Sequence, residues 1–259
     1  MSAKEKISRK TILAVDIGNT AISLGLFRNG KQARGTALAT GLSRVQLAAK
    51  IRTLLRKEEY RRTEEVILCS VVPAKTAVLK QIFRGEKKPV FTVGRDIAVP
   101  LKNRYRHPRQ VGQDRLVGAY AAVCLYGAPA VVIDLGTAIT LDVVSSKRDY
   151  LGGMIIPGLK LSAEALNQKT ALLPKVDIHK PEAMIGRDTQ TSILSGIFYG
   201  YGTMIDGLIH LLKKQVRGNP AIVMTGGHCD LMKKFFRKKV KIEKDLVLKG
   251  LNLLLTSRR

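Results

Sequence analysis

The chain has 259 residues, 45% of them hydrophobic and 25% charged, which is typical of a folded protein with one large domain or two modest ones. Its 45 lysines and arginines outnumber 20 aspartates and glutamates, and the resulting net charge of +25 favours anionic partners such as phosphates. These basic residues are spread along the chain with few aromatic residues between them. We therefore expect nucleic acid to bind only through nonspecific electrostatics.

Cysteine usage and the length of the apolar runs predict the compartment. The cysteines Cys69, Cys124 and Cys229 are scattered and form no C-x-x-C pair, a pattern typical of reducing compartments. Cys69 and Cys124 lie in apolar runs and are predicted to be buried. No apolar run is long enough to predict a signal peptide or a membrane span. We expect a cytoplasmic protein that does not act at a membrane.

The first half of the chain predicts alternating strands and helices. Residues 1–10 are predicted to form a disordered leader. Two strands joined by a turn follow at residues 12–27, and Asn29-Gly30 is a turn that ends the second strand. The further elements are a helix at 42–56, a strand at 66–72, a helix at 74–83 and a strand at 88–93. This order, ββαβαβ, predicts an α/β half-molecule.

A polar stretch, NRYRHPRQVGQDR at residues 103–115, separates the two halves. Pro108 predicts an extended approach and Gly112 a turn, after which residues 113–125 predict an almost wholly apolar helix. Asp114 near the start of this helix has two explanations. It is favoured there by the helix dipole, or it faces a substrate pocket beside Tyr105 and Arg115.

The second half predicts a further series of strands and helices. The first elements are two strands with a turn at 130–144, a turn at 150–153, a strand from 154 that ends at Pro157-Gly158, and helices at 160–169 and 191–214. They are followed by a strand at 221–224 and a glycine turn at 225–227, which suits a nucleotide base or ribose. A basic helical stretch and a terminal apolar segment at 246–255 end the chain's predicted elements. Asp188 or Thr189 is available to cap the long helix. Small residues within that helix predict close packing against another helix.

Residues 12–27 and 130–144 are two copies of one strand-turn-strand unit. The copies align Asp16 with Asp134, Gly18 with Gly136, and residues 20–24 with 137–141. The first copy has one extra residue, Asn19. Glycine in such a turn lets a ligand approach the backbone, and successive N–H groups form an anion-binding concavity. A carboxylate beside a phosphate requires a cation, commonly Mg²⁺. Two facing turns would hold a polyphosphate, whereas a single copy would fit an ordinary hairpin equally well.

An ordered set of motifs extends this interpretation over the chain. They are DIGNT at 16–20, VGQDR at 111–115, DLGTA at 134–138, GG at 152–153 with PG at 157–158, GRDT at 186–189 and TGG at 225–227. From about residue 11 to 255 the chain resembles the type III pantothenate kinases of the acetate and sugar kinase/actin/heat-shock chaperone ATPase superfamily. There is no Walker A motif, so paired turns would have to hold the phosphates.

The resemblance implies a duplicated actin-like (ribonuclease H-like) α/β fold with a nucleotide cleft between its halves, residues 11–128 and 129–259. It implies ATP-dependent phosphorylation of pantothenate to 4′-phosphopantothenate, the first step of coenzyme A biosynthesis. It also implies a homodimer that helps to form the pantothenate pocket, with ATP and pantothenate as ligands.

The resemblance further implies roles for individual residues. The first phosphate loop would comprise Asp16, Ile17, Gly18, Asn19, Thr20, Ala21, Ile22 and Ser23. Asp16 would hold Mg²⁺ through water, Asp134 would bind a monovalent cation, K⁺ or NH₄⁺, and Thr137 would lie in the second phosphate loop. Relatives often have a polar residue in place of Ala21, so a phosphate contact could be weaker here.

The resemblance assigns the catalytic base to Asp114 and the substrate contacts to Tyr105, Gly112, Gln113, Asp114, Arg115 and Thr189. The chemistry agrees, because phosphoryl transfer needs positioning, charge neutralisation and an acceptor for the hydroxyl proton. Arg115 is a suitable partner for the pantothenate carboxylate.

Two alternatives remain at this stage. One is a catalytically weak or inactive relative that acts as a regulatory, nucleic-acid-associated protein, although Asp16, Asp114, Asp134 and Thr137 are all present. The other is a sugar or acetate kinase of the same superfamily, which the stretch 112–115 disfavours. The four histidines lack metal-ligand spacing, and His107 is expected to be a surface residue.

Overall fold

The computed structural model describes residues 10–258, which contacts divide into two compact units. Unit 1 contains residues 10–101, 107–121 and 245–258, and unit 2 contains residues 102–106 and 122–244. The last helix therefore groups with unit 1, whereas the sequence-based division assigned all of 129–259 to the second half. The predicted leader, residues 1–10, lies outside the described residues except for Lys10.

The described residues contain eleven strands and eight α-helices. The strands are β1 (Thr11–Ile17), β2 (Ala21–Arg28), β3 (Lys31–Ala39), β4 (Glu65–Ser70), β5 (Val90–Thr92), β6 (Lys102–Asn103), β7 (Ala130–Leu135), β8 (Ala138–Val144), β9 (Asp149–Pro157), β10 (Ala221–Thr225) and β11 (Lys241–Ile242). The helices are α1 (Arg44–Arg56), α2 (Glu58–Arg61), α3 (Pro73–Gly85), α4 (Gln113–Tyr126), α5 (Leu159–Lys169), α6 (Thr189–Gln215), α7 (Cys229–Met232) and α8 (Leu246–Ser257).

The sheet of unit 1 has the order β3-β2-β1-β4-β5 and is apolar on both faces. Leu13 and Val15 of β1 pack in one cluster with buried residues of α1 and α3. Ile12 and Ala14, on the opposite face, pack with buried residues of α4 and α8. Alternate side chains of a strand point to opposite faces, so a strand covered on both sides needs the continuous apolar run that β1 has.

The sheet of unit 2 repeats this arrangement. Its order is β11-β10-β7-β8-β9-β6, so β9-β8-β7-β10-β11 corresponds to β3-β2-β1-β4-β5. In both units the first three of these strands are antiparallel and the last three parallel. Asp16 pairs across to Ser23, as Asp134 pairs to Thr140. The predicted duplication is therefore confirmed.

Two predicted elements of the first half differ from the structure. The strand β3 was not predicted, because its side chains are mostly exposed and it has no apolar run. It is an edge strand, formed because the Asn29-Gly30 turn, with φ of 51° and 74°, folds the chain back along β2. The extended approach predicted at Pro108 is a 3₁₀ turn, Pro108–Gln110.

Two further predictions, in unit 2, are wrong. Residues 150–153 are not a turn but part of β9, because Gly152, with a φ of 111°, and Gly153 let the strand stay paired to β8 through an irregularity in register. A Cβ on Gly153 would lie 1.8 Å from the carbonyl oxygen of Leu141. The basic helical stretch after residue 227 contains only the short α7 and the strand β11.

One of the two cysteines predicted to be buried is exposed in the structure. Cys69 is buried as predicted, whereas Cys124 is exposed, because it lies on the last turn of α4.

The predicted long helix is α6, and Asp188 caps it by accepting a hydrogen bond of 2.8 Å from the backbone N–H of Thr191. That bond lowers the pKa of Asp188. Within residues 10–258, none of the helices combines the length and hydrophobicity needed to cross a bilayer.

Gly250 of α8 lies where α8 meets α4, and we expect Gly250→Ala to destabilise the protein. Alanine favours helices by about 1 kcal/mol, but the new Cβ would lie 2.7 Å from both Cγ1 and the carbonyl oxygen of Val117, and overpacking costs about 1–3 kcal/mol. In Gly207→Ala, within α6, the Cβ meets nothing within 4 Å, so this control should be neutral or stabilising. Thermal unfolding measures both, and an unchanged midpoint in Gly250→Ala would contradict the packing.

Candidate functional site

The first strand-turn-strand unit presents an exposed turn at the end of a buried strand. Asp16 is half-buried near the end of β1, and Asn19, Thr20 and Ala21 are exposed. The backbone N–H of Gly18 donates to the carbonyl of Ala21 at 2.9 Å and closes the turn. The turn therefore combines exposed backbone groups with a nearby carboxylate.

The side chains of the predicted phosphate loop do not all reach the surface. Ile17 and Ile22 are 0% exposed and belong to the core of unit 1, so only their backbone groups could contact a ligand. Ser23 is half-buried and pairs with Asp16 across the strands. The loop can therefore bind phosphate mainly through its backbone.

Thr40, just after β3, is a residue of this turn that the sequence did not identify. It is 5% exposed, its hydroxyl donates to the carbonyl oxygen of Gly18 at 2.7 Å, and its N–H donates to that of Thr20 at 3.0 Å. Because β3 itself was not predicted from the sequence, nothing in the sequence brought Thr40 to this turn.

Asp114 lies in the first turn of α4, where its position depends on two glycines. The Oδ1 atom of Asp114 accepts the backbone N–H of Arg115 at 2.9 Å, and a Cβ on Gly112 would lie 2.3 Å from that oxygen. Gly94, with a φ of 81°, lies against Gln113 in the same way, since its Cβ would be 2.8 Å from the Gln113 carboxamide carbon. The segment 112–115 is therefore held by close backbone packing.

Asp114 and Asp16 lie in one neighbourhood of unit 1, although 98 residues separate them in the chain (114 minus 16). The buried thiol of Cys69, which pairs with Asp16 in the sheet, is influenced by both carboxylates. Burial first, and then the charges of Asp16 and Asp114, raise the pKa of Cys69 well above its usual value. A Cβ on Gly112 would lie 3.6 Å from Cγ1 of Val71, whose N–H donates to the carbonyl of Ile17 at 3.1 Å, so the segments that carry the predicted base and the predicted Mg²⁺ residue are adjacent.

The second turn, in unit 2, packs even more closely. Gly158, just after β9, donates its N–H to the carbonyl of Thr137 at 3.1 Å, and a Cβ there would lie 2.2 Å from the same oxygen. Asp134 lies against Gly226, whose Cβ would be 2.4 Å from its Oδ1, and against Gly136, at 3.3 Å. Thr137 itself is exposed. At Gly158 and Gly226 there is therefore no room for a side chain, because a carbonyl oxygen or a carboxylate oxygen lies where the Cβ would be.

The glycine turn after β10 joins the neighbourhood of Asp134. The N–H of His228 donates to the carbonyl of Leu135 at 3.2 Å, which fixes the turn beside β7. Burial, followed by the charges of Asp134 and Asp230, raises the pKa of the Cys229 thiol to about 12. This thiol therefore stays protonated near neutral pH.

Tyr105 lies against Gly152 of β9. A Cβ on Gly152 would lie 3.2 Å from the Tyr105 ring, and the Tyr105 N–H donates to the side chain of Asn103 at 3.0 Å. The backbone N–H of Arg104 donates to the carbonyl of Tyr150 at 2.9 Å, and the Arg104 guanidinium pairs with Asp149 at 2.9 Å. Gly152, the first glycine of the GG motif, thus provides the surface on which Tyr105 lies.

A buried polar network supports that strand, and the sequence analysis did not identify it. Asp142 is 2% exposed and accepts hydrogen bonds from the hydroxyls of Tyr150 at 2.6 Å and Thr140 at 3.0 Å. A buried carboxylate requires such donors. The available signal was the alternation of Thr140 and Asp142 within an otherwise apolar strand.

Thr189 lies at the start of α6 in unit 2, beside a cavity of about 630 Å³. The cavity is lined by Leu173, Gly186, Arg187, Asp188, Thr189, Ser192 and Ile193. Its polar lining offers hydroxyl, guanidinium and carboxylate groups to a small ligand.

The predicted residues therefore fall into separate groups. Unit 1 holds Asp16 to Ser23, Gly112, Gln113, Asp114 and Arg115. Unit 2 holds Asp134 with Thr137, Tyr105 with Gly152, and Thr189 at its cavity. Across residues 10–258, no three His, Cys, Asp or Glu side chains form a group that could enclose a metal ion.

Comparison with known proteins adds the family. A family model described as type III pantothenate kinase matches residues 12–211. A protein of Syntrophotalea carbinolica named type III pantothenate kinase is 35% identical over 248 residues, which cover 94% of this chain and 97% of that protein. A relative of the same name from Halalkalibacterium halodurans is 35% identical over 249 residues, covering 94% and 98%.

The fold is also found among solved structures. A ROK family glucokinase from Streptomyces griseus, in complex with glucose and AMPPNP, superposes with a TM-score of 0.53 at 12% identity, over 95% of this chain and 99% of that one. Together with the repeated sheet order, this confirms the predicted duplicated actin-like α/β fold. The family match gives no support to the regulatory, nucleic-acid-associated alternative. The chain belongs to the type III pantothenate kinase family.

Proposed function

We propose that this protein transfers the γ-phosphate of ATP to the hydroxyl of pantothenate and forms 4′-phosphopantothenate, the first step of coenzyme A biosynthesis, in the cytoplasm. The observation that carries the proposal is the neighbourhood of Asp16 and Asp114. One carboxylate, Asp16, lies beside an exposed backbone turn and pairs with Cys69 in the sheet, and the segment that holds the second carboxylate, Asp114, packs against Val71, 3.6 Å from a Cβ built on Gly112. Phosphoryl transfer needs such a phosphate site and such a proton acceptor.

In the proposed reaction Asp114 is the general base. One of its oxygens is already bound by the Arg115 N–H at 2.9 Å, which fixes the carboxylate relative to α4. The pantothenate hydroxyl oxygen attacks the γ-phosphorus, the bond to the β–γ bridging oxygen of ATP breaks, and the hydroxyl proton passes to Asp114. Arg115 binds the pantothenate carboxylate, and Gly112, Gln113, Tyr105 and Thr189 supply further substrate contacts.

Phosphate binding is assigned to the two turns. The backbone N–H groups of the first turn bind the phosphates of ATP, with Ser23 at its edge, and Thr137 of the second turn provides a hydroxyl contact. Ala21 is exposed and has no polar side chain to add. We therefore assign phosphate binding in the first turn chiefly to the backbone.

Two cations are part of the proposal, and the residues present fit both. Asp16 is a half-buried carboxylate beside the turn, a fitting water-mediated partner for Mg²⁺ on the ATP phosphates. The carboxylate of Asp134 lies against the backbone of Gly136 and Gly226, and its oxygens are suitable ligands for K⁺ or NH₄⁺. When bound, these cations neutralise phosphate charge.

We expect Asp114→Asn to lower kcat by about 10²–10⁴-fold, because the amide cannot accept the hydroxyl proton. Pantothenate-dependent ADP formation from Mg-ATP measures the rate, and the KM for ATP should change little. Asp96→Asn, the same change at a unit 1 carboxylate that accepts the Thr92 N–H at 2.8 Å, is the control and should keep kcat. Full activity of Asp114→Asn would refute the base, and no wild-type turnover with pantothenate would refute the function.

We also expect turnover to require K⁺ or NH₄⁺ and to fall when Na⁺ replaces them at equal ionic strength. Asp134→Asn should remove this difference, because the cation loses its only proposed charged ligand. Initial rates in the three chloride salts test both statements. An enzyme equally active in Na⁺, or an Asp134→Asn variant that still responds to K⁺, would contradict the assignment.

A homodimer is the third part of the proposal, supported by an apolar surface of unit 2. Leu151 and Ile155 of β9 are 46% and 64% exposed, and Leu161 of α5 is 44% exposed. A patch of this kind is typical of an interface. We assign it to a second copy of the chain.

Ile155→Lys should therefore convert the dimer to a monomer, since it introduces a charge into the apolar interface. Light scattering coupled to size-exclusion chromatography measures the mass. Val45→Lys, at a residue of α1 that is 78% exposed, is the matched control and should remain dimeric. A monomeric wild type, or a dimeric Ile155→Lys, would refute this surface as the interface.

A further inference from the structure

The two turns are held by the same backbone bond but by different residues. In each unit, the residue that follows the third strand donates its N–H to the carbonyl of the turn threonine: Thr40 to Thr20 at 3.0 Å, and Gly158 to Thr137 at 3.1 Å. The register confirms the equivalence, because Ala39 pairs with Ala21 as Pro157 pairs with Ala138.

In the first turn, the residue that follows the third strand adds a bond from its side chain. The Thr40 hydroxyl donates to the Gly18 carbonyl at 2.7 Å and is almost fully buried. At Gly158 no side chain fits, because a Cβ would lie 2.2 Å from the carbonyl of Thr137 and 2.6 Å from that of Gly136. The first turn is one residue longer, through Asn19.

The hydroxyl bond has a directional consequence for the turn. The peptide between Gly18 and Asn19 is planar, and in a trans peptide the C=O and N–H point in opposite directions. Holding the Gly18 carbonyl towards Thr40 therefore directs the Asn19 N–H away from Thr40. Asn19, to which this N–H belongs, is an exposed residue of the turn.

We propose that Thr40 is a positioning residue for ATP: its hydroxyl fixes the Gly18–Asn19 peptide so that the Asn19 N–H is oriented for a phosphate oxygen. This inference rests on the proposed phosphate-binding function of the first turn. Without the hydroxyl the peptide is free to rotate, and ATP binding decreases in proportion to the fraction of turns in the competent orientation. Thr40 itself does not touch the phosphate.

The matched control is Thr63, in the same unit. Its hydroxyl donates to a backbone carbonyl, that of Tyr60, also at 2.7 Å, and it is 2% exposed. Thr63 precedes β4, whose first residue, Glu65, pairs with Ile12, so Thr63 lies at the end of β1 opposite to the turn. Thr40→Val and Thr63→Val therefore remove the same kind of bond at the two ends of the sheet.

The test measures Mg-ATP binding by calorimetry and, in parallel, KM and kcat with pantothenate. Thr40→Val should raise both the Kd and the KM for ATP by about 5–10-fold, the effect of one lost buried hydrogen bond. Its kcat at saturating ATP should stay within about twofold of the wild type. Thr40→Ser, which keeps the hydroxyl, should restore binding, and Thr63→Val should lower the melting temperature without changing the Kd.

Three results would overturn the proposal: unchanged ATP affinity in folded Thr40→Val, no recovery in Thr40→Ser, or an equal loss in Thr63→Val. If Thr40→Val does not fold, Thr40→Ala takes its place with the same expected result, since the equivalent Gly158 has no side chain at all. Binding is measured without pantothenate. A wild type that binds Mg-ATP but does not phosphorylate pantothenate would refute the proposed function and leave the Thr40 comparison valid.

Discussion

In both units, the conformation of the turn between the first two strands depends on a hydrogen bond from the end of the third strand. In each unit the residue after that strand binds the turn backbone, at 3.0 Å from Thr40 and 3.1 Å from Gly158. A connection of two or three residues between antiparallel strands is flexible alone, and a hydrogen bond from outside the hairpin restricts it. A turn that must present N–H groups to an anion needs this restriction, because the binding energy would otherwise be spent on ordering it.

The glycines of the sequence motifs allow other groups of the protein to approach the backbone closely. At Gly112, Gly153, Gly158 and Gly226, the position of a Cβ is occupied by a carboxylate or a backbone carbonyl, at distances of 2.4 Å or less. Any other residue there would displace the very group that the site uses or the strand beside it. The glycines therefore determine where Asp114 and Asp134 lie, although they contribute no chemistry of their own.

The buried carboxylate of Asp142, in unit 2, requires hydrogen-bond donors. Asp142 would destabilise the sheet of unit 2 if its oxygens had no donors, and the hydroxyls of Tyr150 and Thr140 supply them. The backbone of Tyr150 in turn binds that of Arg104, next to Tyr105. A network that stabilises the core of unit 2 thus also fixes the position of a proposed substrate contact.

The sequence by itself determined the duplicated unit, the buried strands and the family, because apolar runs and the spacing of Asp, Gly and Thr are local properties of the chain. It also predicted α6 and named Asp188 as one of two candidate caps, since a helix start depends on residues three positions apart. The tertiary structure alone decided that β3 forms and brings Thr40 to the turn, that residues 150–153 continue a strand, and that α8 packs in unit 1. These depend on which distant segments pair, and an exposed edge strand or a glycine pair carries no local signal of its partner.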